Sequence, residues 1–571
     1  MNSLTYIFSK LPINLKINFF VIILLSIINA IFEVFGIGML IPIFNTIKDF
    51  DNFSIYLIEN FSFFLFLKEM EKVEFLKLIL FIFFLILCIK YLIYIMLNRV
   101  SINFSAKIKI FTSSRFFYSY ASKDYIFFKN SNSSFLLRDL LIEVTEFCDR
   151  LVLSGINLII EILVILLIVS FLFFKETDLT ILFIIYIIPI SLIFYFLVKK
   201  KIEKAAISRS EIDERKFFIA KNFFNNFKSI KSSNKENFFI NKFNNYVANF
   251  EFTFANFNFI QIISRPFFEF AGLAFVFFWI FFNISQNIDL VEIFLSLSIL
   301  IASIIRILPS INRVMYNLGQ LKFSKPSTDI VVKEFKDIEK IKDINFLNKK
   351  IINFEKKILL KDISFSYKQS KNKLLKNINL EIKKGEKICI LGESGSGKST
   401  LLDIISGLLV STSGSIVIDD DKIFNPKKQL LNLTYVQQDL SLLDGTIAEN
   451  ICLGEDFNKK KLINSIKLSL LEKLMKEKKD FFFLNVGEVG KKFSGGQRQR
   501  ISLAKSFYEN KDIIIFDESI NSVDQKMKIK LIKNIFLYFK EKTIIFALHD
   551  NSFLNKFDKV YQVKKGSLVK L

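Results

Sequence analysis

The chain has two textures. Up to about residue 320, runs of some twenty Ile, Leu and Phe residues alternate with polar stretches; beyond it, apolar runs shrink to five or six residues bounded by charge. A helix needs roughly 20 apolar residues to cross a bilayer core, and six runs qualify: Ile17–Phe44, Val73–Leu97, Leu151–Phe174, Leu179–Val198, Phe257–Phe282 and Leu290–Met315. Spans three and four are joined by Lys175-Glu176-Thr177-Asp178 alone, whereas residues 98–150 and 199–255 form two long polar excursions. Residues 3–16 suit a helix lying along the membrane face. Asn52–Glu69 is apolar but too short to span, and reads either as an interfacial helix or as a loop packed on its neighbours. The expected fold is multidomain: an α-helical six-span transmembrane domain over 1–325, a charged linker over 326–357, and an α/β domain over 358–571.

Composition agrees. With 51% hydrophobic residues, 70 Phe and a mean hydropathy of +0.38, an ordinary soluble protein is excluded. A net charge of +23 would suit a nucleic-acid binder, but its placement argues otherwise. Arg99, Lys107, Lys109, Arg115, Lys123, Lys129, Arg138 and Arg150 all fall in the first long excursion, and the second is also basic. That is the positive-inside distribution, so no nucleic-acid partner is expected. An even number of spans then puts both termini in the cytoplasm. Cys88, Cys148, Cys389 and Cys452 are scattered without metal-ligand spacing and read as reduced.

The chemistry lies in the second half. Gly392-Glu393-Ser394-Gly395-Ser396-Gly397-Lys398-Ser399-Thr400 fits the phosphate loop G-x-x-x-x-G-K-[ST]. It sits between an apolar run, 387–391, and a helical stretch from Leu401. Glycines let the backbone N–H groups turn inward on a phosphate, Lys398 reaches the β/γ-phosphates, and Ser399 offers a hydroxyl to Mg²⁺. Tyr367, about 25 residues upstream, is placed to stack on an adenine or simply to edge a sheet. Gln438 ends an apolar run with a polar side chain for Mg²⁺ or its water. Ser494-Gly495-Gly496-Gln497 opens a helix as a second phosphate cradle. The run from Ile513 delivers Asp517 for Mg²⁺ and Glu518 as a base toward water. His549, the single histidine, closes another run, and Asp524 lies between these last two.

In this order the motifs resemble one superfamily, the ATP-binding cassette transporters. Six spans followed by one cassette resembles an exporter half-transporter over the whole chain. The resemblance implies ATP and Mg²⁺ as cofactors, with Ser399, Gln438 and Asp517 at the metal. It implies ATP hydrolysis coupled to transport, with Glu518, His549, Lys398 and Gln438 catalytic. It also implies a homodimer, each ATP lying between Gly392, Ser394, Gly395, Gly397, Lys398, Ser399 and Thr400 of one copy and Ser494–Gln497 of the other. Coupling helices are expected near Lys123–Lys129 and Lys231–Phe238. The chain departs from the family at Phe493, at Ser519-Ile520, at Asn521-Ser522-Val523 and at Asp550, none of them an expected catalytic group.

Cargo must be read from the spans. Lys90, Arg265 and Arg306 are intramembrane cations, functional by default, and one tier of them would hold a phosphate or pyrophosphate. The competing reading is structural: Arg265 pairs with Glu269 at i,i+4, and Lys90 pairs with Glu161 or snorkels outward. Stretches around Ser264–Gly272, Arg306–Arg313 and Phe32–Pro42 resemble the flippases of lipid-linked oligosaccharides. The expected cargo is therefore a lipid-linked, pyrophosphate-bearing oligosaccharide or similar amphiphile; the alternatives are export of peptides or hydrophobic small molecules, and an ATP-gated channel or regulator.

Overall fold

The computed structural model describes residues 3–48, 50–60, 71–175, 177–285, 290–341, 349–367, 372–419, 422–438, 442–520, 523–549 and 553–571. Two compact units emerge. One holds Met1–Lys123 with Asn130–Ile341, the other Asp124–Lys129 with Lys342–Leu571.

Long apolar runs become helices because in lipid a helix alone satisfies its own backbone groups. Among the described residues five segments are long and apolar enough to cross a membrane: Ile13–Ile47, Lys72–Ser122, Ser133–Lys175, Thr177–Asn225 and Glu236–Phe282. They contain the first five expected spans. The sixth falls on the helix Leu290–Phe323, but the side chains of 290–300 lie outside the described residues; the structure thus bears out five spans, not six.

The helices do not stop where the apolar runs stop. Lys72–Ser122 and Thr177–Asn225 have 51 and 49 residues, about 75 Å at 1.5 Å per residue, against a hydrocarbon core of about 30 Å. The polar excursions are thus largely continuations of spanning helices. Ser3–Lys10 is a separate short helix burying Ile7. The segment after the first span forms the helix Phe50–Asn60, whose Phe50, Phe53 and Leu57 pack with Phe75 and Ile79; its expected remainder, 61–69, is outside the described residues. The first half of the expected linker is a helix, Lys325–Ile341. Val331, Phe335 and Ile338 are buried there at i, i+4 and i+7, an amphipathic stripe that a charge-rich composition conceals.

In the second unit a six-stranded sheet runs in the order Ser567–Lys570, Lys559–Lys564, Lys387–Leu391, Thr543–Leu548, Ile513–Asp517, Leu433–Val436. All neighbours are parallel except the outermost hairpin. Strands buried on both faces need continuous apolar runs, and 513–517 and 543–548 are buried throughout. A second, antiparallel sheet of Leu375–Lys383, Lys357–Phe365, Ser413–Ile418 and Lys422–Ile423 packs into the same core. A helical portion around Gly495–Glu509 has its own core, including Phe493; the departure at 493 is accommodated by burial.

Candidate nucleotide site

Strand register builds the site. Leu391 lies beside Leu548, Asp517 beside Ala547, and Val436 beside Phe516. The carboxyl ends of four parallel strands therefore share one edge, where ligands bind in open α/β sheets. Gly392, Gln438, Glu518 and His549 follow from those ends.

The loop after Leu391 is shaped for an anion. Gly397 has φ 106°, and a Cβ there would lie 2.9 Å from Leu375 Cδ2, so both conformation and space demand glycine. Gly392 also has a positive φ, as does Gly395, which is exposed with Ser394 at the loop tip. The helix Lys398–Ile405 starts directly behind, with Thr400 buried in its first turn. Lys398 is buried; its Nζ donates to the carbonyls of Gly392 at 2.8 Å and Glu393 at 3.1 Å. Ser396 Oγ is buried without a hydrogen-bond partner, a costly arrangement unless a ligand oxygen completes it.

Three expected catalytic residues converge on the carboxylate of the fourth, Glu518. Glu518 Oε1 lies 3.2 Å from Lys398 Nζ and 2.6 Å from His549 Nε2. Its Oε2 accepts from Gln438 Nε2 at 2.8 Å. Glu518 itself has φ 48°, an uncommon conformation outside glycine, held here by the strand end. Gln438, expected on the metal, is thus bonded to the base. Ser399 and Asp517, the other two residues expected at the metal, are brought together: Ser399 Oγ donates to Asp517 Oδ1 at 3.1 Å. Among the described residues no cluster of three or more His, Cys, Asp or Glu stands ready for a metal. The Ser399–Asp517 pair suits Mg²⁺, which takes one or two carboxylates beside phosphate oxygens and water.

Two residues in this network were not anticipated. Tyr435 OH lies 3.1 Å from Asp517 Oδ2 and 3.2 Å from Asp403 Oδ1, so one hydroxyl with a single proton bridges two buried carboxylates. Burial raises the affinity of both for protons, Asp403 to about 6. A pH dependence follows. An unfolded aspartate titrates near 3.9, so the folded domain holds the extra proton between about pH 4 and 6, and stability falls as pH rises through that window. Asp403→Asn should flatten that slope and leave the domain no less stable at neutral pH; an unchanged pH–melting curve for the variant would contradict the assignment.

Tyr367 OH accepts from Lys129 Nζ at 3.0 Å and lies 3.4 Å from Thr400 Oγ1. Lys129 belongs to the helix Tyr125–Asn130, at the first expected coupling segment, and the hydrogen bond to Tyr367 raises its proton affinity. The second coupling segment holds the helix Phe227–Ser232 and the start of another at Glu236.

Ser494, Gly495, Gly496, Gln497 and Asp524 are not brought to the loop. Among the described residues no hydrogen bond or ion pair joins them to it. Ser494 and Gln497 instead form a reciprocal cap: Ser494 Oγ accepts from Gln497 N, and Gln497 Oε1 accepts from Ser494 N at 2.9 Å. The cap satisfies two of the backbone N–H groups at the start of a 15-residue helix. Asp524 caps Gln525–Tyr538 by accepting from Met527 N at 2.9 Å.

The intramembrane cations are paired. Lys90 Nζ lies 2.8 Å from Glu33, and Arg306 engages the same carboxylate, which is 2% exposed. Arg265 pairs instead with Glu269 at 2.7 Å and is 74% exposed. The single tier of three is therefore not formed: two cations share Glu33 and the third stands apart. Glu161, expected to meet Lys90, is held by Arg313 at 2.5 and 3.0 Å. Cys88 is exposed and the other three cysteines are buried; all four are free thiols.

Residues 375–521 match the family described as ABC transporter. Over its full length the chain is similar to a bacterial Atm1-family ABC exporter solved with ATP bound, at TM-score 0.74 and 14% identity, covering 97% of this chain and 94% of that one. The chain has the fold of an ABC exporter. The family match lies within the second unit, where the unpartnered Ser396, the Gly397 cradle and the Ser399–Asp517 pair fit ATP with Mg²⁺. Similar sequences include the leukotoxin translocation ATP-binding protein LktB of Mannheimia glucosida, 35% identical over 215 residues, 37% of this chain and 30% of that protein. The alpha-hemolysin translocation ATP-binding protein HlyB of Escherichia coli matches at the same identity and coverage. A putative export ATP-binding/permease protein of Rickettsia bellii is 33% identical over 211 residues, 36% and 37% of the two chains. The chain spans about a third of the length of these relatives.

Proposed function

We propose that the chain is half of an ATP-driven exporter, working as a homodimer in a bacterial inner membrane with both termini cytoplasmic. The observation that carries the hydrolytic part is the convergence of Lys398, Gln438 and His549 on Glu518 beside the phosphate loop. Bound ATP supplies the phosphoryl group, and Mg²⁺ neutralises its developing charge. Glu518 takes the proton of the attacking water at a carboxylate oxygen, Gln438 orients that water, and Lys398 and His549 Nε2 hold negative charge. Ser399 and Asp517 hold the metal, with Tyr435 fixing the second oxygen of Asp517. Tyr367 carries the adenine. Ser494–Gln497, capped yet apart from their own loop, serve the ATP of a second copy, with Asp524 beside them.

For the cargo, the relatives named for leukotoxin and hemolysin translocation favour an exported polypeptide over a lipid-linked oligosaccharide. The pairing of Lys90 and Arg306 with Glu33 weakens the phosphate-binding tier in the same direction. A lipid-linked oligosaccharide is the second reading, favoured by the exposure of Arg265 and the resemblance of the spans around it. Cargo-stimulated hydrolysis in liposomes separates them. Stimulation by an unfolded polypeptide and not by an undecaprenyl-pyrophosphate glycan supports the first. The reverse, lost on Arg265→Gln with basal hydrolysis intact, supports the second.

A further inference from the structure

We infer that the seam between the helices Thr177–Asn225 and Glu236–Ser285 binds one anionic phospholipid of the cytoplasmic leaflet. A groove of about 690 Å³ runs along that seam, within the size range of small-molecule sites. On the first helix Phe194, Leu197, Lys201, Lys204 and Ser208 line it; on the second, Phe267, Ile263, Phe259, Asn256 and Thr253 do. Both sets follow the three- and four-residue steps that place side chains on one helix face. The lining is graded along its length. Phe194 and Phe267, with ring centroids 4.9 Å apart, lie at the apolar end with Leu197 and Ile263. Ser208, Thr253 and Asn256 lie at the other end, and the two lysines fall between.

The grade matches membrane depth on both helices independently. The fourth span ends at Val198, just before Lys201, and the fifth begins at Phe257, just after Asn256. The boundary between hydrocarbon and water therefore crosses the groove at its lysines. Among the described residues neither Lys201 nor Lys204 has a carboxylate partner. Glu203, between them in sequence, is engaged by Lys322 at 3.3 Å and does not line the groove. Two unpaired cations at headgroup depth, above an apolar channel and beside hydroxyl and amide groups, complement a phosphodiester with acyl chains on one side and a polar head on the other. Phe257, fully buried and stacked on Phe323 at 4.0 Å, gives the groove a rigid floor. The inference is independent of the cargo and of the nucleotide site.

Native mass spectrometry of the full-length protein, released from vesicles of mixed phosphatidylglycerol and phosphatidylcholine, tests it. Phosphatidylglycerol should be retained selectively, one per chain. Lys201→Gln/Lys204→Gln should weaken retention roughly thirty-fold, at the usual contribution of a lysine near an anionic headgroup. Lys201→Arg/Lys204→Arg should preserve it, and Lys200→Gln, exposed outside the groove, should leave it unchanged. Equal retention of the two lipids, or equal loss in the Lys200 variant, would overturn the inference. So would a photoreactive residue in place of Phe259 that labels a second copy of the chain rather than lipid.

Discussion

Glu518→Gln should reduce ATP hydrolysis by about 10² to 10⁴, the usual contribution of a positioned acid–base group, while ATP binding survives. The substitution keeps the size of the side chain and its capacity to accept from Gln438 Nε2, and it leaves the backbone of the phosphate loop and Tyr367 unaltered. It removes the anion that Lys398 and His549 face at 3.2 and 2.6 Å. Steady-state phosphate release and equilibrium nucleotide binding, measured on one preparation, check both halves. Turnover within a few-fold of the unsubstituted protein would reject Glu518 as the base.

Glu33→Gln should be the most destabilising single change in the membrane unit. Glu33 is buried, and it is the common partner of Lys90 and Arg306. Its neutralisation leaves two cations facing each other without an anion, and breaking a buried pair from one side costs about 3–5 kcal/mol. The triple change Glu33→Gln, Lys90→Gln, Arg306→Gln removes all three charges and should recover much of the folded yield. Melting in detergent at matched purity reads both. A cargo site of free cations predicts the opposite for the single variant: with Glu33 neutral, Lys90 and Arg306 would bind an anion more tightly and stability would be little changed.

The sequence was most legible where one local property decides structure. Runs such as 513–516 and 544–548 are apolar throughout because both faces of a parallel strand are buried, and the polar residues that follow, among them Glu518 and His549, then had to meet at one edge. The phosphate loop was readable because Gly397 admits no side chain. Less legible were features that depend on which helices become neighbours. Glu33 was visible as an acid inside the first span, yet nothing local says that Lys90 and Arg306, on two other helices, both turn toward it. Arg265 and Glu269 were readable as a pair because one helical turn brings them together. The long polar excursions concealed helices for a related reason. Their charge suggests loops, whereas a spanning helix simply continues into water when its residues favour helix, as Lys72–Ser122 does. Tyr435 and Asp403 left a trace, a hydroxyl near the end of one strand and an acid one turn into the loop's helix, but their meeting over Asp517 is a product of strand order.

In the proposed exporter two copies enclose ATP between the phosphate loop of one and Ser494–Gln497 of the other. The most direct measurement is the mass and nucleotide content of the Glu518→Gln protein in detergent with Mg-ATP, and of a Ser494→Arg variant made in the same background. The account predicts a dimer holding one ATP per chain, and a Ser494→Arg protein that binds ATP at its own loop yet fails to trap it in a closed pair. Stable trapping of ATP in single chains, or trapping undiminished by Ser494→Arg, would contradict it.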